Sequence, residues 1–412
     1  MRIFYAAGAS PNAYYISESN LWKNNLFDSL VAMGHEVIPF SKDVTWHFTE
    51  YRNFETSPEE RSHFLAYKSE LQSELLKEIA AAHRVNRIDL FFSYFWSDVC
   101  DPGTIEAIKS MGITTMNWYC NGSYQFELVA DLAPHYDWCL VPEKFRLRDY
   151  ETIGARPIYC QEAANSKIYK PYDLPVEIDV AFVGQAYGDR PAYVRHLLDQ
   201  GIDVRVFGYG WQALAEPERV AASKAPAPAN AGGIVLRRLR QLTTPSGWRA
   251  AGRRLIPWPG AESPPAPAAP EAWSFPQRVI GGVLSDIEMI KLYSRSKINL
   301  GFSTCGDTHQ TGQRIMQIRL RDFEVPMSGG FYMVEYMEEL EEFFEIGKEV
   351  VCYSGPEDLA DKIKYYLAHD SEREAIRLAG HKRCLRDHTW RRRFEKVFAE
   401  IGLNSCAALP VS

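Results

Sequence analysis

Several of the patterns by which a chain declares its chemistry are missing from these 412 residues. No two of the eight cysteines form a C-x-x-C pair, so neither a zinc site nor a disulfide framework is expected, and the thiols read as reduced residues of a cytosolic protein. No apolar run approaches the length needed to cross a bilayer. The opening MRIFYAAGAS has no basic leader and no A-x-A site, which makes it an expected first strand of a soluble protein rather than a signal peptide. A periplasmic two-domain binding protein is disfavoured on the same ground. The net charge of −7 leaves no general excess of positive charge, which argues against a general nucleic-acid binder and leaves only local basic patches.

What is present is alternation. RIFYAAG, HEVIPF, IDLFFSYF, ITTMNWYC and YDWCLVP read as strands, separated by helical stretches that often close on glycine. Strand, helix, Gly, strand is the signature of a parallel sheet with crossover helices. A second set begins at IDVAFVG and runs through IDVRVFGYG, SDIEMIKLYSRS, INLGFS, GGFYMVE and EVVCYS to PEDLADKIKYYLAH, where Ser354 is expected to start the helix. The fold class is therefore α/β, with two Rossmann-like domains facing across a cleft. The expected division is 1–170 and 171–390, with a Pro/Ala-rich basic insertion at 213–276 and a C-terminal helix and tail at 391–412.

The chemistry gathers around QRIMQIRLRDFEVPMSGGFYMVE, residues 313–335. Gln313, Gln317, Arg321 and Glu324 are spaced four, four and three apart, so they share one face of a predicted helix that Pro326 ends or kinks. Gly329 and Gly330 then allow a reversal into the strand FYMV. A solvated helix face with an ordinary Arg–Glu pair is the plain alternative. Ahead of the helix, GFSTCGDTHQTG is a polar, Gly-containing loop that includes His309, Gln310 and Thr311. Unsatisfied N–H groups at such a helix start suit a diphosphate, a Glu can accept from two ribose hydroxyls, and Arg can neutralise phosphate. AFVGQAYGDR adds a second strand–Gly–loop, with Gly184 and Arg190, although Arg190 also reads as a surface arginine. Together these describe a nucleotide-diphosphate seat.

The stretch from IRLRDFEVPMSGGFYMVEYMEELEEFFEIGKEVV to HKRCLRDHT resembles the C-terminal region of the CgeB-type (spore maturation protein-like) glycosyltransferases, which have the GT-B fold. The match rests on Arg321, Phe323, Glu324, Gly329, Gly330, Glu335 and Asp387-His388-Thr389. It covers the last third densely and extends more loosely through DVAFVGQAYGDR, FFSYFWSD and TTMNWYCN. The resemblance implies a UDP- or GDP-linked sugar donor held by the second domain, with Glu324 on the ribose. The acceptor would be a glycan, a lipid-linked acceptor or a protein, in bacterial surface polysaccharide or glycoconjugate synthesis, and no cofactor is implied. Two departures stand out. Met316 occupies the position where retaining GT-B enzymes usually carry another Glu, and Asn121-Gly122 replaces an Asp pair of the relatives. Asp98 becomes the substitute candidate for deprotonating the acceptor, with a turn cap as its plain reading; His309 and Glu162 are weaker candidates. Gly8 and Asn121 join Glu162 on the acceptor side. No Asp-x-Asp occurs, so no metal site is expected, and dipoles and arginines would stabilise the leaving diphosphate.

Two rival activities remain open: a nucleotide-sugar epimerase or hydrolase of the same architecture, and a non-catalytic nucleotide-sugar-binding protein. The insertion centres on IVLRRLRQLTTPSGWRAAGRRLIPW, residues 234–258, where a Leu stripe opposes clustered Arg. It fits a helix lying on an anionic membrane, which would place a cytoplasmic enzyme peripherally on the inner face. A helix packed on the second domain and a disordered segment are the alternatives.

Overall fold

The strands LFFS (90–93) and VCY (351–353) are buried at every position. Such continuous apolar runs mark strands covered by helices on both faces. The computed structural model describes residues 1–7, 20–42, 58–216, 273–306 and 308–403. The first sheet contains β1 (Arg2–Ala6), β2 (Glu36–Pro39), β3 (Leu90–Ser93), β4 (Thr114–Trp118), β5 (Trp138–Val141) and β6 (Pro157–Tyr159), in the order β2-β1-β3-β4-β5-β6. The second contains β7 (Ile178–Val183), β8 (Val204–Phe207), β9 (Ser296–Gly301), β10 (Tyr332–Glu335) and β11 (Val351–Tyr353), in the order β11-β10-β9-β7-β8. Every named pairing is parallel. The strand order reverses between β1 and β3 and again between β7 and β9, and crevices open at the carboxyl ends of the strands at such points.

The two carboxyl edges meet. Beyond β4, the Ser123 hydroxyl hydrogen-bonds Gln317, which lies beyond β9. At the end of β6, the Tyr159 hydroxyl donates to Glu339 at 2.6 Å, and Lys144, beyond β5, pairs with Glu342. The chain also crosses back. The helix Trp390–Glu400 follows the second domain but buries Trp390, Phe394, Val397 and Phe398 in the core of the first. Trp390 meets Trp118 edge-on, with ring centroids 5.2 Å apart. Each such side chain contributes about 1.5–3 kcal/mol on burial, so this helix is integral to the first domain.

The helix expected from residue 313 begins only at Leu320 and runs to Met327. Residues 313–319 instead return along the loop that leaves β9. Met316 bridges Thr304 in antiparallel sense, Cys305 N–H donates to the Ile315 carbonyl at 2.9 Å, and Gln317 N–H donates to the Ser303 carbonyl at 3.1 Å. Buried loop backbone needs partners, and this segment supplies them before helix formation can start. Asp322 then accepts from the Arg319 N–H at 2.8 Å and fixes the first turn. Pro326 lies inside the helix, one residue before its end. Ser354 also differs from expectation: its N–H and hydroxyl donate to Asp358, and Gly355 is the residue that precedes the helix Pro356–Ala368.

Among the described residues no helix is long and apolar enough to cross a membrane. Of the insertion, only the flanks 213–216 and 273–276 are described, joined by a bridge between Ala215 and Phe275. The basic segment 234–258 and Gly8 lie outside the described residues.

Candidate active site between the two sheets

At the switch point of the second sheet, β7 ends at Val183 and the chain passes through Gly184 to the helix Arg190–Asp199. A Cβ on Gly184 would stand 2.5 Å from Phe182 Cζ and 3.2 Å from Arg190 Nη1, so only glycine lets Arg190 fold back over this turn. The buried Arg190 guanidinium donates to the Gln185 carbonyl at 3.0 Å and to the Tyr187 hydroxyl at 2.8 Å, and it lies 3.8 Å above the Tyr187 ring. Burial lowers its pKa to about 10, while Tyr187 and Asp189 act in the opposite direction.

Two further arginines converge on the same place. Arg319, from the strand-like return, donates through Nε to the Phe302 carbonyl at 2.9 Å and through Nη2 to the carbonyls of Ser303 and Thr304. Arg321 donates through Nε to the Val183 carbonyl at 2.6 Å. Burial by itself would raise the Tyr187 pKa, but Arg319, Arg190 and Arg321 outweigh it and hold the phenol below its ordinary value. The arginines spend their hydrogen bonds on backbone carbonyls and a phenol, which carry no formal charge to neutralise theirs, while Glu324, Asp189 and Asp322 are the carboxylates nearby. That arrangement can take a multiply charged anion.

Buried carboxylates lie on both sides of this place, Glu324 beside the arginines and Glu162 and Glu143 on the first-domain side. Glu324 is buried, 3.8 Å from Arg321, with one carboxylate oxygen unpartnered. Burial raises its pKa, although Arg321 and a hydrogen bond from Tyr169 pull it down. Glu162 is also buried with an unpartnered Oε2; burial, then Glu324 and Glu143, push its pKa well up. Glu143 accepts from the Ser123 N–H at 3.1 Å through Oε1 and leaves Oε2 unpartnered. Burial brings its pKa up to about 7. Its Oε2 lies 3.3 Å from where a Cβ of Gly122 would be. A carboxylate therefore fills the space beside a position that has no side chain. Tyr124, 40% exposed, reaches from the first domain to Gly306 in the loop beyond β9. Beside β1 and β2, Tyr5, Phe27, Phe40, Lys23 and Lys42 line a cavity of about 220 Å³.

The family model described as glycosyl transferase-like matches residues 249–399. No curated protein matches the chain. Among solved structures, the Anabaena protein HepE in complex with UDP and glucose is 10% identical, with a TM-score of 0.54 over 98% of this chain and 99% of that one. A sucrose-phosphate synthase from Thermosynechococcus elongatus is 11% identical with a TM-score of 0.52, again over 98% and 99%. A glycosyltransferase from Rickettsia africae is 12% identical with the same TM-score and coverage. The fold is GT-B.

Within this GT-B frame the residues singled out from sequence separate into groups. Gly184, Arg190, Arg321 and Glu324 come together at the switch point of the second sheet, and Glu162 faces them from the first-domain side. Gln317 lies between the domains but spends its side-chain carbonyl on Ser123. Gln310 is exposed and Gln313 is off the helix altogether. His309 and Thr311 fall in the short turn Thr308–Thr311, where His309 Nδ1 is buried without a partner and lies 3.8 Å from a Cβ built on Gly188.

Gly329 and Gly330 sit before the first residue of β10, at the opposite end of the sheet from the arginines. A Cβ would collide with Pro171 at the first and with Asn299 and Val325 at the second, so these glycines serve close packing. Asp98 stands in the turn Ser97–Val99 beyond β3. Asn121 donates to the Tyr94 hydroxyl at 3.1 Å. Among the described residues no group of three or more His, Cys, Asp or Glu is placed to hold a metal ion.

Arg319, Tyr187, Tyr124 and Glu143 escaped the sequence reading. For Arg319 the sequence did hold a signal: it is the first Arg of the pair flanking Leu320, but a helical reading turned it away from the stripe. Glu335, part of the quoted resemblance, anchors Arg314 at 2.6 Å, and Arg314 also holds Asp189 at 2.7 Å.

Proposed function

We propose that the protein is a glycosyltransferase of the CgeB-type group, which moves a sugar from a nucleotide-diphosphate sugar to an acceptor hydroxyl in building a surface glycan or glycoconjugate. The observation that carries this reading is the set of Arg190, Arg319 and Arg321 around Tyr187 at the donor-sheet switch point, where positive potential would hold the diphosphate and stabilise it as it leaves. The Glu324 carboxylate, with an oxygen to spare, would accept the ribose hydroxyls. The HepE structures contain UDP and, in one case, UDP-glucose, which supports a uridine-linked donor here. Proton transfer falls to the first domain, where Asp98 and Glu162 are the carboxylates named from sequence and Asn121 cannot act as a base.

The test is product analysis with a panel of nucleotide sugars and hydroxyl acceptors. Transfer to an acceptor supports the proposal. Isomerised donor, or free sugar in its presence, shows an epimerase or hydrolase. Asp98→Asn lowers kcat by about a hundredfold or more if Asp98 takes the proton; an unchanged rate removes it from the chemistry. The non-catalytic reading draws on two departures, the absence of a carboxylate at Asn121-Gly122 and at Met316. It predicts tight nucleotide binding with no turnover of any donor.

A further inference from the structure

A larger cavity lies at the two places where the chain crosses between domains. It has a volume of about 530 Å³ and is lined by the inter-domain segment Asn165–Lys167, by Ser29 and Ala32 of the first domain, by the end of the helix Asp370–Asp387, and by the start of the helix Trp390–Glu400. The two crossings are tied directly: the Ala164 N–H donates to the His388 carbonyl at 3.2 Å, and Ala164 bridges Thr389.

Lys167, Arg386, Arg391 and Arg392 bring four cations to this groove, and among the described residues Glu395 is the only acidic one lining it. That one carboxylate is shared, 2.8 Å from Arg391 and 3.4 Å from Arg392. Arg386 pairs at 2.8 Å with Asp387, which Arg383 also engages at 3.2 Å. Lys167 has no ion-pair partner among the described residues. Ser166 and Thr389 also line the groove. Cations therefore exceed the carboxylates that could neutralise them, in a concave space with neutral donors alongside, which is the chemistry of a phosphate seat.

The groove also connects to the cleft. Arg393, on the first turn of the same helix, donates through Nε to the Gln161 carbonyl at 3.0 Å and through Nη2 to the Glu162 carbonyl at 3.2 Å. Arg391 and Arg392 line the groove while their neighbour holds the backbone of a carboxylate in the cleft.

We propose that this groove is an effector site for a small phosphorylated anion, which clamps the two inter-domain crossings and so fixes the segment that carries Glu162. The phosphate could belong to a free metabolite or to a lipid headgroup. This inference stands apart from the identity of the reaction in the cleft.

The probe is inorganic pyrophosphate, titrated calorimetrically into the full chain at low salt. Wild type is compared with Lys167→Ala/Arg391→Ala/Arg392→Ala and with Lys167→Glu alone; the half-exposed Arg391 and Arg392 make loss of folding in the triple variant unexpected. Any binding by the arginines of the cleft is common to all three proteins. A parallel arm floats each protein with phosphatidylcholine vesicles, with or without phosphatidic acid. The expected result is a binding event weakened at least tenfold in both variants, with amide exchange over residues 161–169 slowed by pyrophosphate in wild type only. Flotation on phosphatidic acid that the variants lose, without binding of pyrophosphate, assigns the phosphate to a lipid. If wild type and both variants titrate and float alike, or none binds in either arm, there is no such site. Binding that leaves exchange over 161–169 unchanged overturns the clamp.

Discussion

At the carboxyl edge of the second sheet the chain gathers Arg190, Arg319 and Arg321 around a phenol. At the edge of the first it gathers Glu143 and Glu162, both buried, both with an unpartnered oxygen, and both raised in pKa by burial. The two sheets have the same kind of strand order and the same kind of crevice, so the fold does not account for the difference. The side chains delivered there do. Under the proposed function, one edge would hold negative charge already present on a ligand. The other holds carboxyl groups that keep their protons to unusually high pH, and such groups are suited to exchanging protons. Ser123–Gln317, Tyr159–Glu339 and Lys144–Glu342 are the contacts that bring the two edges together, as the proposed transfer would require.

The largest effect is expected from the edge proposed to hold the donor. Arg319→Ala removes a guanidinium held by three carbonyls. Each charged hydrogen bond contributes about 1.5–3 kcal/mol, so nucleoside diphosphate binding should weaken by about a hundredfold, as read by calorimetry. Binding that survives would leave Arg190 and Arg321 as the whole of the seat.

The acceptor edge has its own signature in pH. Glu143 holds its proton to about pH 7 when folded, against 4.5 as its ordinary value. As pH rises, the unfolded chain releases this proton first. Stability from this group is therefore greatest below about pH 4.5 and falls until about pH 7. The difference is on the order of 3 kcal/mol. Urea denaturation at pH 5 and pH 8 should show Glu143→Gln losing less stability over that range than wild type. Equal losses would mean that Glu143 is ionised in the folded protein and is an ordinary helix-start carboxylate.

Glu324→Ala separates ribose from phosphate within the donor edge. It should weaken a nucleoside diphosphate by about 2 kcal/mol while leaving any pyrophosphate binding unchanged. Equal weakening of both would mean that Glu324 acts only by orienting Arg321. The smallest effect belongs to the contact between the edges. Ser123→Ala removes one hydrogen bond and should cost about 0.5–1.5 kcal/mol in thermal or denaturant stability, with nucleotide affinity unchanged.

Much of the fold was legible because period and punctuation agree: apolar strands, amphipathic helices and glycines at their ends. What was missed was short or non-local. β6 is three residues long, too brief for any period to show. The helix Trp390–Glu400 could be expected from its sequence, but nothing local tells it to pack on the first domain rather than the second. The site was legible where residues belong to one motif, as with Arg321 and Glu324, or Gly184 and Arg190. It was misread where local spacing imitates a helix: residues 313–319 have helical polar spacing, yet the buried loop beyond β9 claims their backbone. Glu143 was invisible because its neighbour in space, Gly122, lies 21 positions away in sequence and offers no side chain to suggest a partner.

The division of labour between the two edges is tested most directly by titrating UDP and GDP, under one set of conditions, into wild type, Arg319→Ala and Glu143→Gln. The account predicts that one of the nucleotides binds wild type and Glu143→Gln with affinities within about twofold, and Arg319→Ala about a hundredfold more weakly. If Glu143→Gln loses affinity as Arg319→Ala does, or if Arg319→Ala binds like wild type, the two edges do not divide the work in this way.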